Sequence, residues 1–273
     1  GENERSQEFR QEADELLKWT KNSYTRMMKD SSIDWIPNGP EDLRGTSMAR
    51  GTSPALWPGQ VLDPNDEAVQ KSFQRYYEKW VKPFNGAYLH QGRFWPYGFE
   101  LAQCYTLLGR REIANEILRW HILHQTFPGA YAWAEQIDTT TFWFSAGDMP
   151  HCWVAADFMN ALRSCLLYED NGRIVIAAGV PREWLSPGKK FRVENAPTYF
   201  GMVSYSVAVS SSGQKVSLKL SGLARPPKGF AVRLPISKDD IKKVTADKHE
   251  ISVGKNGEFY VEAHAKNVTI TLE

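Results

Sequence analysis

Residues 149–176 read MPHCWVAADFMNALRSCLLYEDNGRIVI, and the change of rhythm inside this stretch decides the fold. Over residues 152–168 the apolar side chains recur at helical spacing. After Asp170-Asn171-Gly172, a hairpin-type turn signal, the period becomes alternating. Downstream, KFRVENA, MVSYSVAVS, KVSLKLS, GFAVRLPI, KKVTADKHEISV, EFYVEAH and VTITL are short strands parted by Gly, Pro, Asn and Ser, with a second turn signal at Asn256-Gly257. Strands of this length and spacing predict an antiparallel β-sandwich over residues 171–273.

Upstream, residues 1–170 read as helices. Residues 8–28 place Phe9, Ala13, Leu16, Leu17 and Tyr24 at helical spacing. Residues 66–80 follow Asp63-Pro-Asn-Asp66, which makes Asp66 an N-cap. Residues 97–108 stop at Gly109, a residue suited to the position after a helix, and residues 110–124 repeat the pattern with Ile113, Ile117, Leu118 and Ile122. Between the helices run three long connections rich in aromatics, residues 33–63, 83–96 and 127–150. Loops of that length are usually functional, so they are expected to wall one shared cleft.

Composition narrows the partners. Lys+Arg 33 against Asp+Glu 32 leave a formal net charge of +1, so no field of one sign recruits nucleic acid or an anionic membrane. No apolar run approaches the roughly 20 residues that span a bilayer. Cys104, Cys152 and Cys165 fit neither a disulfide framework nor a zinc pattern. His121 and His124 have metal-compatible spacing but no acidic companion, and signatures of nucleotide or zinc chemistry are missing. No metal and no cofactor are expected.

All ten tryptophans lie at or before Trp184, and several crowd the entrances to helices together with carboxylates. Tyr131-Ala-Trp133-Ala-Glu135-Gln136-Ile-Asp138 sets Glu135 among indole and phenol rings, where a carboxylate can be tuned for acid or base work. Asp148-Met-Pro-His151-Cys-Trp153 opens the last helix: Asp148 can cap it or bind substrate, and His151 can bond a hydroxyl or hold a carboxylate. Gly92-Arg93-Phe94-Trp95-Pro96-Tyr97-Gly98-Phe99-Glu100 is a second entrance of the same kind. Residues 33–63 add Asp34, Glu41, Asp42, Arg50 and Trp57. Flat rings that stack on sugars beside paired carboxylates suit glycoside hydrolysis, in which one carboxyl group protonates the leaving oxygen and the other activates water. The candidates are Glu135, Asp138, Glu41 and Asp42 for catalysis, and Trp95, Tyr97, Glu100, Trp133, Trp143, Asp148, His151, Trp153, Arg50 and Trp57 for substrate binding.

Pro150-His151-x-Trp153, Ala178-Gly-Val-Pro181-x-x-Trp184-Leu185 and Ala196-Pro-Thr198-x-Phe200-Gly201-x-Val203-Ser-Tyr205 give the chain a resemblance to the (α/α)6-barrel glycoside hydrolases with a C-terminal β-sandwich, of the rhamnosidase-like and glucoamylase-like kind. The likeness is closest over residues 149–207 and looser over 95–148. It implies a chain that is mainly α with a β domain: an (α/α) toroid, complete or partial, over 1–170, then the sandwich. Trp133-Ala-Glu135 is similar in order and placement to the segment supplying the catalytic base. The resemblance implies hydrolysis of a neutral, plant or microbial oligo- or polysaccharide, and it favours a periplasmic or secreted protein. Only five helices are legible where such a barrel has about a dozen. The expected partners are therefore the carbohydrate and either a missing N-terminal part of the same enzyme or further copies in a homo-oligomer. Two rival readings are a polysaccharide lyase using Tyr131, His151 and Arg93, and a carbohydrate-binding fragment without turnover.

Overall fold

The computed structural model describes residues 2–45 and 49–273, except the side chains of Glu2 and Arg50. It corrects the expected fold class. Among the described residues the chain is mixed α/β, with six α-helices (36% helical) and 25% strand in three sheets of four, four and six strands, and no toroid is formed. The helical patterns are real, but two of the three long connections between them, residues 83–96 and 127–150, carry strands as well. The chain divides into two compact units, Gly1–Leu108 with Glu116–Val154, and Gly109–Asn115 with Ala155–Glu273.

The first unit begins with α1 (Glu2–Asp30), followed by a long loop and the short α2 (Ser53–Leu56). Next comes α3 (Glu67–Tyr76), whose start is fixed by Asp66: its carboxylate accepts the amides of Ala68 (2.8 Å) and Val69 (3.4 Å). The helix runs on through a π turn at Tyr77–Val81. Strands β1 (Leu89–His90) and β2 (Arg93–Phe94) form a hairpin ahead of α4 (Gly98–Leu107), every residue of which is buried. Gly109, at φ +72°, ends that helix as expected. After α5 (Arg111–Leu123) come β3 (Gln136–Ile137) and β4 (Phe144–Ala146), which complete an antiparallel sheet in the order β1-β2-β3-β4. Ala87, Phe94, Trp120, Ala134 and Ile137 make a small core beside it.

The second unit takes over within α6 (Cys152–Leu166), where β5 (Leu167–Asp170) follows directly. Asn171 (φ 44°) and Gly172 (φ 82°) then form the two-residue turn to β6 (Arg173–Ile176), with Asp170 opposite Arg173. Strands β7 (Lys190–Thr198), β8 (Gly201–Val209) and β9 (Lys215–Gly222) follow as a meander. The remainder are β10 (Phe230–Val232), β11 (Ile241–Ala246), β12 (His249–Glu250), β13 (Phe259–Val261) and β14 (Asn267–Leu272). They assemble as β13-β10-β6-β5 and β12-β11-β14-β9-β8-β7. Both sheets contribute to one aliphatic core that includes Ile174, Ile176, Val207, Leu218, Val232 and Ile270. The pairing is not wholly antiparallel: β10 runs parallel to β6, with Phe230 opposite Ile174 and Val232 opposite Ile176.

Candidate functional site

Glu135 sits on the stretch leading into β3, and the β3–β4 pairing decides what surrounds it. The Glu135 amide donates to the Asp148 carbonyl (3.0 Å) and the His151 amide to the Trp133 carbonyl (2.9 Å), which extends the ladder beyond the strands proper. Residues 133–138 are thereby held antiparallel to 143–151. Gly147, at φ +79°, packs on the Glu135 side chain: a Cβ there would lie 2.6 Å from the Glu135 Cβ and closer still to Oε2. Only glycine meets both demands, the left-handed backbone and the close approach.

Tyr97 reaches the same place from the entrance to α4. Its hydroxyl donates to Glu135 Oε1 (3.2 Å) and is 2.8 Å from His151 Nε2. A carboxylate only accepts and the phenol has one proton, so with Glu135 ionised it is Nε2–H of His151 that donates to the phenol oxygen. The other ring nitrogen, Nδ1, lies 3.8 Å from Asp148 Oδ2. Asp148, exposed four residues ahead of Cys152, thus pairs with a histidine rather than capping α6. Rings frame this cluster. Trp95 stacks on Tyr97 (centroids 5.8 Å apart, 24° between planes), with its indole N–H bound to the His90 carbonyl (2.9 Å). Trp153 meets Tyr97 edge-on at 6.0 Å and is 55% exposed. Tyr97 itself is buried, Glu135 and His151 half-buried. The arrangement is a carboxylate with a fixed hydrogen-bond direction, a histidine–aspartate pair beside it, and an exposed indole at its edge.

Other sequence-nominated residues lie apart from this cluster or in different roles. Trp133 offers no face to a sugar: it is 1% exposed, packs edge-on against Phe99 at 4.9 Å, and donates its indole N–H to the His121 carbonyl (2.8 Å). Glu100 is buried and accepts the Ser53 hydroxyl, tying α4 to α2. Asp138 is a turn-former that accepts the amides of Thr141 (2.8 Å) and Thr140 (3.0 Å); those bonds, more than the nearby Arg93, hold its pKa below the usual carboxylate range. A carboxylate so stabilised is a poor proton donor. Trp143 is half exposed and meets Phe127 edge-on at 5.1 Å, and Trp57 is half-buried at the end of α2.

In the 33–63 connection, Asp34 is exposed and pairs with Lys71 (3.4 Å), and Glu41 is exposed. Asp42 is buried near the cations of α3 and the π turn. Lys79 has its pKa lowered by burial and by Arg75, and Asp42 opposes that shift. Arg75 stacks on Trp35 at 4.2 Å and donates to the carbonyls of Arg44 and Gly45. None of the described bonds carries these acids to Glu135. The backbone of Arg50 belongs to a short 3-10 turn (Ala49–Gly51), but its side chain lies outside the described residues.

Two residues the sequence did not nominate support the site. Gly147 is one; a lone glycine beside a strand pattern is the signal of close approach that would have found it. His121 is the other. It is fully buried against Phe99 and Trp120, and neither ring nitrogen has a hydrogen-bond partner among the described residues. Gly98 leaves room for its ring, since a Cβ there would lie 2.9 Å from Cδ2. Burial, with a smaller contribution from His124, lowers its pKa to about 3, so the ring is neutral at ordinary pH. Among the described residues there is no group of three or more His, Cys, Asp or Glu able to hold a metal ion. Nor is any described helix long and apolar enough to cross a membrane.

No protein-family model matches this chain, and no curated protein sequence matches it.

Proposed function

We propose that this protein acts on a carbohydrate and hydrolyses a glycosidic bond, with Glu135 as the base that activates water. The observation that carries this reading is the convergence of Glu135, Tyr97, His151 and Asp148 beneath the exposed Trp153 ring. Tyr97 engages Oε1, which leaves Oε2, beside Gly147, to take the proton of the attacking water. The water oxygen bonds to the anomeric carbon as the glycosidic C–O bond breaks. His151, protonated beside Asp148, gives a proton to the leaving oxygen and is left neutral. Trp95 and Trp153 provide the apolar surfaces that a sugar face covers.

The test is hydrolysis of a panel of aryl glycosides and neutral oligosaccharides, followed by new reducing ends. Glu135→Gln should lower kcat/KM by roughly 100- to 10,000-fold on any accepted substrate, the usual contribution of a positioned base. Unchanged turnover in that variant removes Glu135 from the role. Saccharide binding by calorimetry with no turnover in the native chain makes it a binding module instead. The Tyr97 hydrogen bonds also favour a second reading, proton abstraction beside a uronic carboxylate, because a phenol that passes its own proton to Glu135, with the resulting phenolate held by Nε2–H of His151, is a usable base. An unsaturated, ultraviolet-absorbing product from a polyuronide would select it.

A further inference from the structure

Helix α1 carries a seam whose N-terminal half no described residue of the first unit covers. Phe9, Ala13, Leu16, Thr20, Ser23 and Met27 recur at alternating steps of four and three residues, the spacing of a coiled-coil seam. Toward the C-terminal end, Leu17, Thr20, Tyr24 and Met27 line an open cleft of about 330 Å³ together with Ile36 and Leu62. Toward the N-terminal end the same seam stands in solvent, with Phe9 59% and Leu16 70% exposed, and Trp19 beside it 75% exposed. Three large apolar residues at one helix face are more than scattered surface hydrophobes.

The charges along α1 are sorted as well. Residues 4–15 contain Glu4, Glu8, Glu12, Asp14 and Glu15 against Arg5 and Arg10, whereas residues 18–29 contain Lys18, Lys21, Arg26 and Lys29 and no acid. This order suits the helix's own dipole, but the dipole gives no reason for exposed Phe9, Leu16 and Trp19.

We propose that a second copy of this chain covers the seam, its α1 lying antiparallel to the first. Antiparallel pairing brings Glu8 of each helix opposite Lys21 of the other, while parallel pairing would set like over like. It also closes as a twofold dimer, in which one self-complementary patch satisfies both copies. Ala13 then faces the partner's Leu16, Phe9 faces the partner's Thr20, and Ser6 faces the partner's Ser23. The small Ala13 lets the backbones approach at the crossing. This proposal is independent of the reading of the Glu135 site.

Sedimentation velocity of the full chain across a concentration series tests it. A reversible dimer is expected, weakened about tenfold or more by Leu16→Glu, as befits loss of a central apolar anchor, and weakened again by added salt. Leu16 is exposed, so circular dichroism of the variant should match that of the native chain. Orientation is read by oxidation in a Cys152→Ser background, which removes the one exposed thiol. A mixture of Ser6→Cys and Ser23→Cys chains should cross-link, while Ser6→Cys alone should not. A monomer at every concentration overturns the proposal and leaves the seam to a different occupant. A dimer indifferent to Leu16→Glu, or one linked through Ser6→Cys alone, overturns it equally.

Discussion

The two units bury different things. Of the polar or charged residues buried among those described, Asp42, Thr52, Ser53, Ser72, His90, Glu100, Gln103, Thr106, His121 and Thr126 lie in the first unit, and only Asp157, Ser164 and Glu169 in the second. The second unit fills its core with Val, Ile and Leu from two sheets, a packing that needs no particular chemistry. The first buries rings, several hydroxyls, two carboxylates and a neutral histidine, groups that cost free energy unless each is matched or held neutral. A polypeptide that only had to be stable would resemble the second unit throughout. The first has the composition of a place where geometry is kept for a purpose.

That contrast can be broken by experiment. At neutral pH the largest effect on stability belongs to the second unit. Leu218→Ala, at a fully buried position of β9, should cost about 3 kcal/mol in urea unfolding, the usual cost of deleting a large core side chain, without altering KM for an accepted glycoside. A shift in KM at temperatures where the variant is folded would show that the units are not distinct in this way.

Next is His121. Its folded pKa of about 3 lies below the ordinary value of 6.5, so the unfolded chain binds a proton that the folded chain refuses. Its contribution is therefore undiminished above pH 6.5 and is lost as pH falls from there toward 3. In that window the slope is at most about 1.4 kcal/mol per pH unit. Stability curves between pH 7 and 4 should flatten in His121→Phe relative to the native chain, and equal slopes would mean that the ring is not held neutral.

The smallest effect is expected from Gly147→Ala. Strain at φ +79° costs roughly 1–2 kcal/mol, yet the same Cβ displaces Glu135, so activity should fall further than stability. A variant that loses stability but keeps its turnover would separate Gly147 from the site.

Much of the second unit was legible because its signals are local and repeated. Asn171-Gly172 set one hairpin, and alternation located the long strands of the meander. The β10–β6 parallel pair was not legible, since Phe230 and Ile174 are joined by no turn that a local pattern could announce. Farther upstream, Asp66 and Gly109 marked helix ends correctly, the first by its side-chain carboxylate and the second by its left-handed backbone. Strands of two residues, such as Leu89–His90 and Gln136–Ile137, have no period to read, so residues 83–96 and 127–150 look like aromatic loops. Five helical patterns and a likeness then suggested a toroid that the chain does not form. At the site, Glu135, Tyr97 and His151 could be nominated from their neighbours in sequence. Trp133 could not be assigned correctly, because an indole in a buried wedge and an indole on a sugar platform read alike.

The Tyr97 hydroxyl has one further consequence, and it concerns epistasis. One oxygen serves both Glu135 and His151, so removing it unsettles two groups at once, and removing either group leaves the oxygen half employed. Substitutions at positions 97, 135 and 151 should therefore fail to add: Tyr97→Phe should cost less turnover in a Glu135→Gln background than in the native chain. Any lineage that alters one of these three positions inherits a different set of tolerated changes at the other two.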